Sequence, residues 1–294
     1  MPMAKSEKSL LSKKELLEIF INHRVHSPFP GDWESIFKGL GYEFWALREL
    51  ERTDSFKNID WKAKAKTGKY FVREFLAESY FNVMLLYDIS RSVHFGRKEL
   101  LQAHIAVSLA YSAILSNDGC GLILFADDIV QYIPPRMGRS HFMEILTAIA
   151  RAEPVTCGAT NLNLALTKLI NEVPESLTFI LSDFMYPLDF RYNFRHTLHG
   201  TNKHEVKAVQ VLEECEIALP AQSTGILPLY DYESGTTATL DLSKWQAYND
   251  AMSRLRAAAE DRLNSAGIDL VTISPADDFA RKINAFMKRP SSSY

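Results

Sequence analysis

Five short, almost unbroken apolar runs set the limits on how this chain can fold. They are "YFNVMLLYD" ending at Asp88, "GCGLILF" ending at Phe125, "SLTFILSD" ending at Asp183, "HEVKAVQVL" from His204 and "GIDLVTIS" from Gly267. A strand wetted on one face alternates polar and apolar residues, whereas a strand covered on both faces reads as a continuous run. Between the runs the period changes to that of helices. Leu101, Ile105 and Leu109 recur every four residues within 98–116. Residues 140–151 suit a second helix, and Asn161 is placed to cap a third that runs to about Ile170. Further helices are expected over 188–199, over 243–266 with Trp245, Leu255 and Ala259 on related turns, and over 276–288. Strands alternating with helices predict an α/β domain: a mainly parallel central sheet with helices on both faces, Rossmann-like in plan. Asp127-Asp128 reads as a tight turn, and Pro134-Pro135 closes the strand after it. That strand is expected to run antiparallel at a sheet edge.

Two stretches depart from this rhythm. Residues 1–78 are expected to form a small β-containing extension packed on the core at 79–294. A short amphipathic helix (Leu16, Leu17, Ile19, Phe20, Ile21) is expected near its start. Pro28, Pro30, Gly31, Gly39, Gly41 and Gly68 break its pattern, and Trp45, Trp61, Tyr70 and Phe71 are candidate anchors on the core. Residues 213–241, rich in Gly, Pro and alternating apolar residues, read as an inserted hairpin. With 294 residues and 47% hydrophobic content the chain can bury one large core. Its 33 basic and 36 acidic residues give a net charge of −3, without a bias toward nucleic acid or anionic membrane. No apolar run has membrane length and the N-terminus lacks a signal-peptide pattern, so the expected location is cytoplasmic. Cys120, Cys157 and Cys215 form no metal-type pair and read as buried or partly buried thiols.

The chemistry gathers at the carboxyl ends of the strands, where open parallel sheets bind ligands. Asp88 ends the first core run and is followed by Ser90 and Ser92. Thr160 lies in a glycine-containing loop before a helix, and Asp183 ends "LTFILSD". Taken singly, Asp-x-Ser before a helix is a cap and Ser-Asp after a strand is a turn. Taken together, Asp88, Ser90, Ser92, Thr160 and Asp183 form an oxygen-only set on one sheet edge, suited to a hard cation such as Mg2+.

"DISRS", "GATNL" and "LSDF" together resemble the metal-ion-dependent adhesion site of von Willebrand factor A domains. That resemblance implies Ser90, Ser92 and Thr160 as direct ligands, with Asp88 and Asp183 bound directly or through water. It implies Mg2+ or another divalent ion such as Mn2+ or Ca2+, and a von Willebrand factor A-like fold. From about Gly31 to Asp241 the chain is also similar to the domain of unknown function 58 family. The likeness is carried by "KGLGYEFWALRELERTDSFKNIDWKAKAKTGKYFVREF", by "GLILFADDIVQYIPPRMGRSHFMEIL" and by the "DYESG" stretch. Many members of that family carry membrane helices; this chain resembles the shorter members without them. Family genes often accompany MoxR-type AAA+ ATPases, which implies such an ATPase or its client as a protein partner.

If neutral hydroxyls dominate the shell, a bound cation stays electrophilic and an acidic residue from a partner can complete it. The expected function is therefore a metal-dependent protein–protein interaction module, not an enzyme. The motifs contain no nucleophile with its general base. The alternative is a Mg2+-dependent phosphoester hydrolase with Asp88 as nucleophile and Arg91 or Arg97 on the phosphate. Several other features invite plainer readings. His94 reads as an exposed loop histidine. Lys62, Lys64, Lys66 and Lys69 read as a solvated edge or a basic face for an acidic partner. His196, His199 and His204 read as a solvated helix end, since their spacing fits no common zinc set. Arg136 and Arg139 are candidate rim contacts.

Overall fold

The computed structural model describes residues 47–49, 71–73, 81–155, 160–190, 204–221, 225–230 and 237–288. The chain divides into Gly31–Tyr80 and the remainder. Within Gly31–Tyr80, β1 (Leu47–Glu49) pairs antiparallel with β2 (Phe71–Arg73). The expected helix around Leu16–Ile21, the lysines at 62–69, most of the expected 188–199 helix and Cys157 lie outside the described residues.

The remainder is built on six strands. These are β3 (Asn82–Asp88), β4 (Gly119–Phe125), β5 (Ile129–Arg136), β6 (Ser176–Ser182), β7 (His204–Val211) and β10 (Asp269–Ile273). They lie in the order β10-β7-β6-β3-β4-β5, and only the β4–β5 pair is antiparallel. The chain therefore starts in the middle of the sheet, winds out to one edge through β4 and β5, then returns and winds to the other. Loops leaving β3 and β6 diverge at that reversal, and it is outside the carboxyl ends of strands at such a point that open parallel sheets form their ligand crevice.

Among the described residues, helices pack around the sheet and beside one another. They are α1 (Lys98–Leu115), α2 (Arg139–Arg151), α3 (Leu162–Glu172), the single turn α4 (Glu214–Ile217), α5 (Trp245–Ser265) and α6 (Phe279–Met287). Met84, Leu86, Ile123, Phe125, Ile180, Val206 and Ala208 pack with α3 and the end of α5 on one face. Alternate residues such as Val83, Leu85 and Tyr87 point the other way, toward the face where α1 crosses β3, β6 and β7. Because both faces are covered, every residue of β4 and β6 is buried, as their unbroken apolar runs require. Two glutamines lock the strand ends. Gln102 Nε2 donates to the carbonyls of Asp88 (2.8 Å) and Leu181 (3.3 Å), and Gln210 Nε2 donates to that of Asp183 (2.9 Å).

The 213–241 excursion contains the expected hairpin, β8 (Ile226–Tyr230) against β9 (Thr237–Asp241), and also α4, which the sequence pattern did not suggest. Two expectations need correction. Leu255 is 56% exposed, and the buried side of α5 runs through Met252, Ala259 and Leu263 instead. His204 is not at a solvated helix end: it opens β7, is buried, and its Nδ1 lies 2.8 Å from Ser176 Oγ. Among the described residues, no helix is long and apolar enough to cross a membrane.

Truncating a side chain in the covered sheet leaves a cavity. Leu86→Ala is expected to cost about 3 kcal/mol in urea unfolding, and Leu255→Ala under about 0.5 kcal/mol. Equal losses would contradict this assignment of the two faces.

Candidate functional site

Asp88 and Asp183 reach the crevice because β3 and β6 are hydrogen-bonded neighbours. Leu181 is in register with Tyr87, so Ser182 lies beside Asp88 and Asp183 one residue beyond. Both aspartates are fully buried, and their carboxylates are held by separate bonds. Asp88 Oδ1 accepts the Ser90 N–H (2.8 Å), and Asp88 Oδ2 accepts the Ser182 hydroxyl (2.5 Å). Asp183 Oδ1 accepts the Met185 N–H (3.1 Å). Burial, with the Asp183 charge beside it, pushes the Asp88 carboxyl up to about 7, against the hydrogen bonds from Ser182 and Ser90. Phe184, between these contacts, has a left-handed backbone (φ 50). A buried aromatic adopts that conformation only where its surroundings impose it. Here its N–H donates to Ser182 Oγ (3.0 Å).

The serines follow on a 3-10 turn, Arg91–His94. The capping alternative does not hold for Ser90: its hydroxyl makes no cap bond and lies 3.1 Å from Ser92 Oγ. His94 is not a free loop ring. Its Nδ1 donates to the Ser90 carbonyl (3.0 Å), which fixes the turn from behind. Thr160 comes from a third segment. The Val155 N–H donates to the Ile89 carbonyl (3.1 Å) and the Asn161 N–H to that of Ala126 (2.7 Å). Phe125 is in register with Asp88, so these bonds tie both ends of the 155–161 segment to the carboxyl ends of β3 and β4. Asn161 stands at the start of α3 as expected, but its side chain makes no cap bond. Thr160 is buried, and among the described residues its Oγ1 has no hydrogen-bond partner.

The strand ends thus bring all five residues to one edge of the sheet. Among the described residues no three His, Cys, Asp or Glu side chains gather as a metal site; this set consists of two carboxylates and three hydroxyls. Such a set fits a hard divalent ion. A buried hydroxyl without a partner costs on the order of 1–3 kcal/mol, and a cation would satisfy Thr160 Oγ1.

Three participants escaped the sequence pattern. Ser182 was visible only as part of "LSDF". Lys98, with a fully buried side chain, donates to Asp183 Oδ2 (3.0 Å) and to Glu216 Oε1 (2.8 Å). Burial acts against its charge, but the two carboxylates outweigh that and its pKa lies above the ordinary lysine value. Burial pushes the Glu216 carboxyl up, against the pull of Lys98. One signal for Lys98 was available. It opens α1, where the positive end of the helix dipole disfavours a cation. A lysine there needs a compensating anion.

The family model described as "Protein of unknown function DUF58" matches residues 46–261. An uncharacterized protein of Mycobacterium tuberculosis (strain ATCC 25618 / H37Rv) is 25% identical over 279 residues, covering 92% of this chain and 86% of its own. Among solved structures, the conserved hypothetical protein BatB from Bacteroides thetaiotaomicron is 15% identical. The match covers 71% of this chain and 100% of that one, with a TM-score of 0.46. A von Willebrand factor type A protein from Catenulispora acidiphila is 12% identical over 74% of this chain and 42% of that one, with a TM-score of 0.43. The sheet is doubly wound with an antiparallel edge strand, and the chain belongs to the DUF58 family.

Proposed function

We propose that the chain is a protein–protein interaction module whose contact point is a divalent metal centre held by Ser90, Ser92 and Thr160, with Asp88 and Asp183 behind them. The observation that carries this is the buried Thr160 hydroxyl, without a partner among the described residues, at the same sheet edge as the paired Ser90 and Ser92 hydroxyls. Asp88 and Asp183 already receive hydrogen bonds at both of their oxygens. They supply negative charge and orient the loops, while the neutral hydroxyls are the groups left for a cation. When bound, such an ion supplies a Lewis-acid position that can take an outside carboxylate. Mg2+ is the favoured ion, since hard cations prefer oxygen donors and Mg2+ keeps several waters beside a few protein ligands. The partner is then a protein that presents an Asp or Glu. The family resemblance supports a MoxR-type AAA+ ATPase, or a client of one, in complex assembly or chaperone-like maturation.

The hydrolase alternative has less support. Asp88 is fully buried with both oxygens engaged, a poor setting for a nucleophile. Arg97 is turned to Glu214 at 3.6 Å. Lys98, which reaches the site, is held between two carboxylates.

Two outcomes test the proposal. Mn2+ binding, followed by loss of the free-ion electron paramagnetic resonance signal, should fall at least about tenfold in Ser90→Ala/Ser92→Ala and in Thr160→Ala, as expected for removing direct ligands of a hard cation. Unchanged binding in both would remove the centre. Affinity capture with and without Mg2+ should recover an acidic-faced partner only with the metal and only with the wild-type serines. Metal-dependent turnover of a generic phosphoester, lost in Asp88→Asn, would favour the hydrolase instead.

A further inference from the structure

We infer, on the metal reading just proposed, that Lys98 is a built-in counter-cation of the centre: it holds Asp183 with a protein ammonium, weakens the centre's own grip on a divalent ion, and leaves that ion in need of an outside carboxylate. Without Lys98, Asp88 and Asp183 would offer two negative charges, enough to neutralise a divalent ion. With Asp183 shared at 3.0 Å, the bound ion would keep net positive charge facing the crevice. An acidic partner then supplies what the protein withholds, so the metal and the partner bind more tightly together than either does alone.

The placement of Lys98 is costly and specifically supported. A lysine almost never lies fully buried unless paired, and this one also opposes the dipole of the helix it begins. The pairing is arranged by α4, more than a hundred residues further along the chain. Glu216 gives Oε1 to Lys98 and accepts the Glu213 N–H at Oε2 (2.8 Å), while the Glu213 carboxylate accepts the Arg97 N–H. Gly96 makes room for this. Its backbone is left-handed (φ +63), and a Cβ there would run into the Glu213 side chain. On its other side α4 is fastened to α5, where Arg256 Nη1 donates to the carbonyls of Glu216 (3.2 Å) and Ile217 (2.6 Å). Lys98 is therefore held beside Asp183 from two directions. The third carboxylate, Glu216, is partly open to water at 17% exposure, where solvent screens its effect on the ion.

Lys98→Met keeps much of the side chain's length and apolar stem and removes the charge. Lys98→Met/Glu216→Gln also removes the carboxylate left behind, and serves if the single variant does not fold. In the folded variant Mn2+ should bind about tenfold or more tightly than in the wild type, since a nearby positive charge is gone. Its melting temperature, lowered without metal, should rise further on adding Mn2+ than that of the wild type. Acetate at constant ionic strength, as the carboxylate probe, should tighten Mn2+ binding in the wild type and do so less in the variant. A lysine that merely bolts α4 to α1 predicts a loss of stability that Mn2+ does not restore and Mn2+ binding equal to or weaker than wild type; that result would overturn the inference while leaving the centre in place. Absence of Mn2+ binding in the wild type would instead remove the centre itself, and this role of Lys98 with it.

Discussion

Two buried carboxylates lie side by side at the ends of neighbouring parallel strands. Everything around the crevice answers that arrangement. The pairing of β3 with β6 fixes the closeness of Asp88 and Asp183, and coverage of both sheet faces fixes their burial. Like charges in such a place repel, and each resists desolvation. The chain meets this with directed donors: Ser182 and the Ser90 N–H on Asp88, Lys98 and the Met185 N–H on Asp183. The left-handed Phe184 and the buried lysine at a helix start are locally unfavourable. Both are found where the carboxylates need partners.

The same contacts connect the crevice to the periphery of the domain. Lys98 links Asp183 to α4, and α4 is bonded in turn to α5 through Arg256 and through the Tyr248 hydroxyl on the Cys215 carbonyl (3.0 Å). The β8–β9 hairpin lies between α4 and α5 in sequence. Its residues Ile226 and Thr237 to Thr239 are exposed. The segment that interrupts the strand–helix rhythm therefore begins with a turn whose Glu216 pairs with the lysine that holds Asp183, and it does not simply decorate an edge.

Much of this was legible in the sequence, for physical reasons. Strands buried on both faces announce themselves as unbroken apolar runs, so the sheet could be read strand by strand, with the Asp127-Asp128 turn and the antiparallel edge. Asp88, Ser90, Ser92, Thr160 and Asp183 could be assigned to one edge because strand ends in a parallel sheet all point the same way. Partners that meet only through the fold were not legible. Lys98 and Asp183 are 85 residues apart, and Lys98 and Glu216 are 118; no local period joins them. Where local pattern competed with tertiary packing, it misled. Leu255 fits the repeat of α5 yet faces solvent. His204 reads both as the start of an apolar run and as part of a solvated histidine stretch, and it is the first that the buried strand bears out.

The most direct measurement is anomalous scattering from crystals of the full chain grown with Mn2+, recorded on the high-energy side of the manganese edge. The account predicts a single strong peak in the crevice within ligand distance of Ser90 Oγ, Ser92 Oγ and Thr160 Oγ1, with Lys98 Nζ still on Asp183. A crevice without a peak at saturating Mn2+, and with Thr160 Oγ1 bonded to a protein group instead, would contradict it.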